Sequence, residues 1–164
     1  MVISIKLIKS SIICMEDFFM DETNELLEYI YQDCEMATTT LTELLKQLQG
    51  KDNKIKRTVE DILKEYEKYL KESIKLLKAH KIKPKKLGMM AKMGAKAGIK
   101  TNVKNDNSDS KISDVVIQGL VMGIIDISKR IDDFEKEANK DIVKLANRLL
   151  EFQESSVEKL KEYL

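Results

Sequence analysis

The chain holds one histidine, one proline, two cysteines and no tryptophan. Each scarcity excludes something. A single imidazole, His80, cannot furnish the ligand sets of zinc or di-iron centres, nor serve a nucleophile from the end of a helix. Two cysteines, Cys14 and Cys34, are too few for a disulfide framework, and a reducing cytoplasm is the simplest setting for them. One proline leaves long helices uninterrupted. No apolar run reaches the length needed to span a bilayer. Neither Gly-x-x-x-x-Gly-Lys-Ser/Thr nor a strand-linked Gly-x-Gly-x-x-Gly occurs, so the common phosphate-cradling loops are missing.

What the chain has instead is charge and aliphatic periodicity. Hydrophobic residues make up 43% and charged residues 35% of its 164 positions, enough to bury one core in a single domain. Net charge is +1, which gives the whole little pull on nucleic acid or membrane. The average conceals segregation. Residues 15–49 carry nine acids and one lysine, whereas residues 73–105 carry ten lysines and no acid. Nucleic acid is a poor partner for the basic run, because no aromatic interleaves it.

Residues 1–14, MVISIKLIKSSIIC, are apolar but broken by Lys6 and Lys9, and no small-residue cleavage site follows. Three readings remain: a signal peptide that lacks these elements, translation from Met15 rather than Met1, or a short ordered element. Residues 15–164 then form one helical domain.

Four stretches repeat apolar residues every three or four positions and predict helices over about 21–48, 53–80, 110–138 and 141–163. In the first, Leu27, Cys34, Leu41 and Leu48 recur every seven residues with Ile30, Ala37 and Leu44 between them. Asp21 and Glu22 suit its start, Gly50 its stop, and the short turn that follows makes the first two helices antiparallel. The apolar run from Val115 to Ile127 makes the third helix the most buried expectation. Ser108 or Ser110 would cap it. A break at Asn139-Lys140 separates the third helix from the fourth, with one continuous helix as the alternative. Residues 81–108 break the rhythm with the proline, three glycines and eight lysines. This connector is long enough to cross the bundle, with a short irregular helix over Leu87–Ile99.

Two hairpins and a long crossover resemble the ferritin-like four-helix bundle. The segments NELLEYIYQDCEMA and LLEFQESSVEKLKEYL are similar to the first and last helices of that superfamily. The resemblance implies an all-α fold but no di-iron centre. Gln153 stands where the family places a glutamate and Ser156 where it places a histidine, and the second helix has no Glu-x-x-His. Small uncharacterised bacterial bundles of this size are similar too, and imply no activity.

The residues that remain as candidates are these. Gly119 and Gly123 form Gly-x-x-x-Gly, which serves close helix packing or leaves space for a ligand or a second subunit. Asp126 lies in an apolar run and would pair with Arg130. The tyrosines would fill inter-helix space with their hydroxyls on partners such as Glu28 or Asp33. Met89, Met90 and Met93, set among Lys85, Lys86, Lys92 and Lys96, would strap the connector onto the bundle, or else meet an anionic membrane surface through residues 81–104. The leading expectation is a non-enzymatic, cytoplasmic bundle that works through self-association or a protein partner, without a cofactor. The alternative is a carboxylate-only iron or manganese site drawn from Glu28, Glu35, Glu65 and Asp126.

Overall fold

The computed structural model describes the backbone of residues 2–164 and the side chains of residues 22–164. It contains five helices and no strand among the described residues: α1 (Val2–Gln47), α2 (Lys56–Ala79), α3 (Met89–Asn105), α4 (Asp109–Phe134) and α5 (Lys140–Lys161). No helix is long and apolar enough to cross a membrane among the described residues.

α1 begins at Val2, well before the start expected at Asp21. Nothing stops it earlier, since no proline or glycine occurs before Gly50. The side chains of residues 1–14, Cys14 included, lie outside the described residues. Within α1 the run Thr38-Thr39-Thr40 is tolerated because each hydroxyl bonds a carbonyl four residues back, at 2.9, 2.7 and 2.8 Å. Gly50 then turns the chain with φ +73°.

Polar latches fix the helix directions. Asp109, in the first turn of α4, accepts hydrogen bonds from the Asn53 side chain (2.8 Å) and the Lys54 N–H (3.0 Å). α4 therefore starts beside the α1–α2 turn and runs parallel to α2. At the other end, the Asn139 N–H donates to Thr23 Oγ1 at 2.9 Å, which docks the α4–α5 turn on α1. α5 returns, so that Tyr163 meets Thr58 (2.9 Å) and the Ser113 hydroxyl donates to the Leu160 carbonyl (2.6 Å). α1 packs on α2 and α4, and α5 packs on the same two.

Two helix ends follow the sequence closely. Ser108 caps α4 by accepting the Lys111 N–H at 3.2 Å. Asn139 opens α5 by accepting the Asp141 N–H at 2.9 Å. Five residues separate α4 from α5, so the C-terminal third is not one helix.

α3 is longer than the irregular helix expected over Leu87–Ile99. Its glycines at 94 and 98 have open space around them, so they cost backbone entropy but break no packing. It joins the bottom of α2 to the top of α4 by running up α1. Lys85 pairs with Glu28 (3.7 Å), Lys92 with Glu35 (2.7 Å) and Lys100 with Glu43 (3.7 Å). The paired numbers rise together, so α3 lies parallel to α1. Among the described residues, three lysines of the basic segment thus meet three acids of the acidic one.

The core is aliphatic. Leu26, Leu27, Ile30, Leu44, Leu48, Ile55, Ile142, Leu145 and Leu149 are fully buried, as is the free thiol of Cys34. Two expectations fail here. α4 is not the most buried helix: Val116, Leu120, Gly123 and Ile127 face inward, but Met122 and Ile125 are 69% and 62% exposed. Nor do the methionines fasten α3, since Met89, Met90 and Met93 all face out and the lysines do the fastening.

Candidate functional site

The buried stripes of α1 and α5 each carry a polar side chain near the middle of the bundle. On α1 the inward series is Leu26, Ile30, Asp33, Ala37 and Leu44; on α5 it is Leu145, Leu149, Gln153, Val157 and Leu160. The two polar positions meet. Gln153 is fully buried, and its Nε2 donates to Asp33 Oδ2 at 2.8 Å and to the Tyr66 hydroxyl at 3.0 Å. Its Oε1 is buried without a hydrogen-bond partner. Such an atom is uncommon in a folded interior.

Gly123 makes this meeting possible. A Cβ there would stand 2.7 Å from Gln153 Nε2 and 3.3 Å from Asp33 Oδ1. The Gly123 carbonyl in turn accepts from the Tyr29 hydroxyl at 3.3 Å. Gly119, one turn earlier, has nothing near the place of a Cβ and is exposed. The Gly-x-x-x-Gly pair thus does two different jobs: Gly123 admits the buried amide, and Gly119 leaves an opening.

That opening leads to a cavity of about 400 Å³ between α1, α3 and α4, with Ile62 and Tyr66 of α2 also in its wall. Met36, Leu41, Leu44, Val116 and Leu120 give it apolar walls, and Leu87 and Ile99 of the connector segment complete them. Tyr29, Asp33, Tyr66 and Asp126 give it a polar side. The lining includes two carboxylates and no lysine, arginine or histidine.

The electrostatics follow from burial. Loss of water raises the Asp33 carboxyl to about 7; the Gln153 hydrogen bond lowers it and the Asp126 charge raises it. Burial, then the Asp33 charge, pushes both the Tyr29 and Tyr66 hydroxyls up, so both stay protonated near neutrality. The Cys34 thiol is also pushed up, first by burial and then by Asp33, which makes it a poor nucleophile.

Arg130 does not pair with Asp126 as the spacing suggests. Its guanidinium donates to Glu25 of α1 at 2.9 Å and lies 4.5 Å above the Tyr29 ring. A partner across the helix interface outcompetes the one on its own helix, because Asp126 faces the cavity rim and is exposed.

The carboxylates considered as metal ligands are dispersed. Glu28 and Glu35 hold Lys85 and Lys92, and Glu35 also accepts the Leu87 N–H at 3.2 Å. Glu65 pairs with Lys68 on α2. Asp126 alone reaches the cavity. No cluster of three or more histidine, cysteine, aspartate or glutamate side chains suited to a metal occurs among the described residues. Gln153 and Ser156 occupy the positions that the ferritin-like pattern gives to ligands. Ser156 is buried, and its hydroxyl returns to the Phe152 carbonyl at 2.8 Å. Lys86 and Lys96 are exposed beside the methionines.

Sequence reasoning named Asp33 only as a tyrosine partner and Gln153 only as a lost ligand. The signal that joins them was present: each is a polar residue at a position of apolar spacing, between Ile30 and Ala37 on α1 and between Leu149 and Val157 on α5. Comparison of the chain with protein-family models, with curated proteins and with solved structures gave no match.

Proposed function

We propose that this protein is a ferritin-like helical bundle, without the metal centre of that architecture, that binds a small apolar ligand and does not transform it. The single observation that carries this reading is the cavity beside Gly119, with aliphatic walls and one polar side. Its volume of about 400 Å³ lies within the usual range for small-molecule sites. Support for the ferritin-like arrangement comes from two antiparallel hairpins, a full-length crossover and parallel α2 and α4. Support for binding over catalysis comes from the groups present. The Cys34 thiol is buried and pushed up, and His80 ends α2 rather than lining the cavity.

The test is calorimetric titration with a set of six-carbon probes of differing head group, on the native protein and on Gly119→Met. The glycine has free space about it, so the variant folds, with a Tm equal to or a few degrees above the native one, while its side chain narrows the mouth. Saturable binding of at least one probe, weakened about tenfold or more by Gly119→Met, is the expected result. Failure of every probe to bind the native protein would remove this reading.

A second reading is association with another copy or a protein partner through α4. Its support is the exposed apolar set Val121, Met122 and Ile125, flanked by Gly119.

A further inference from the structure

The head group of the ligand is legible in the charges around the cavity. Asp33 and Asp126 both line it, and no basic side chain does. Among the described residues, neither carboxylate forms an ion pair with a lysine or arginine. The nearby cation, Arg130, is held by Glu25. Asp33 receives one side-chain donor, the Gln153 amide, which leaves its acceptor capacity partly unused. The Tyr66 ring also lines the cavity, whereas the Tyr29 ring is already covered by the Arg130 guanidinium at 4.5 Å. Two carboxylates with spare acceptor capacity at one side of an apolar chamber suit a positively charged group with a hydrocarbon body.

We propose that the cavity takes an amphipathic cation, an alkyl- or arylammonium whose charged end lies beside Asp33 and Asp126 and whose apolar body lies against Met36, Leu41 and Leu120. This rests on the cavity being a ligand site and adds the chemical class of the ligand. A carboxylate-bearing ligand of the same length would meet two like charges and be rejected. A neutral one would fill the walls but leave the polar side without a partner.

Four groups that titrate or carry charge face Asp33: Asp126 from α4, Tyr29 and Cys34 from α1, and Tyr66 from α2. Burial of Asp33 favours its neutral form, so a cation would bind better as pH rises from 6 to 8 and this carboxyl ionises.

The test compares hexyltrimethylammonium, 1-hexanol and hexanoate by calorimetry on the full chain. The quaternary head carries its charge at every pH, so any pH dependence belongs to the protein. The expected order is ammonium over alcohol by about tenfold, with no measurable hexanoate binding. Asp33→Asn should bring the ammonium to within about threefold of the alcohol and abolish its pH dependence. Asp126→Asn, at an exposed position that folding does not depend on, should reduce the preference as well and serves if the Asp33 variant fails to fold. Equal binding of ammonium and alcohol would overturn the cation inference while leaving an apolar ligand site in place. Binding of no probe would overturn both.

Discussion

Two carboxylates two positions apart on α1 respond to the fold in opposite ways. Asp33 loses water and gains only an amide donor, so its carboxyl is raised to about 7. Burial alone would raise Glu35 too, but the Lys92 ammonium, the Leu87 N–H and the Tyr31 hydroxyl outweigh it and hold it low. The linkage signs follow. Between its unfolded value and about 7, folded Asp33 binds more protons than the unfolded chain, so stability falls as pH rises through that window. Glu35 contributes stability above its unfolded value, and that contribution is lost as pH falls through its lowered folded value. Asp33→Asn should therefore raise the unfolding free energy at pH 8 by about 1 kcal/mol or more, and change little at pH 4. Urea melts at the two pH values check this. A variant equally stabilised or destabilised at both would show that Asp33 ionises in the fold without cost.

Among the elements, α3 depends most on charge. Its inward face offers few buried side chains, with Val103 the one fully withdrawn from water. Its position comes from Lys85, Lys92 and Lys100 meeting Glu28, Glu35 and Glu43, and from the Gln32 side chain donating to the Lys85 carbonyl at 2.8 Å. Exposed pairs contribute little each, but Lys92 and Glu35 are both largely shielded and share a hydrogen bond of 2.7 Å. Lys92→Ala should cost about 1 kcal/mol and speed amide exchange across residues 89–105 before the rest of the chain responds. Hydrogen exchange read by mass spectrometry measures that order. Protection unchanged in α3 would mean that Ile99 and Val103 alone hold it.

Much of this layer was legible in the sequence. Heptad spacing in α1, the Gly50 turn and the caps at Ser108 and Asn139 each belong to one local segment, and local rules read them. The α3 methionines misled, because an apolar residue on a lysine-rich helix carries no mark of which face turns inward. The pairing of Lys92 with Glu35 rather than water depends on where two distant segments lie. Asp33 and Gln153 are separated by 120 positions. Each was visible as a misfit on its own stripe, yet their contact exists only once α1 and α5 are assembled around Gly123.

For the molecule as a whole, the near-neutral net charge allows exposed apolar side chains to drive association. That exposure lies mainly in two sets, Met89, Met90 and Met93 on α3 and Val121, Met122 and Ile125 on α4, and Gly119 leaves the α4 set uncrowded. The double substitution of Met122→Lys with Ile125→Lys removes the set without touching the core. If α4 mediates assembly, sedimentation velocity should show the native protein as a dimer or larger at tens of micromolar and the double variant as a monomer. The Tm measured at low concentration should differ by no more than a few degrees. A native protein that stays monomeric would confine binding to the cavity.

The crossover also bears on how the chain reaches this structure. Short connections, residues 48–55 and 135–139, join α1 to α2 and α4 to α5, so the contacts within each pair are local in sequence. The register between the pairs has no such help. It is set by residues scores of positions apart, Asn53 with Asp109 and Thr23 with Asn139, and the segment between the pairs must travel the length of the bundle before either latch closes. These non-local contacts raise the loop-closure cost of assembly, and the chamber beneath Gly119 exists only once the two pairs have met.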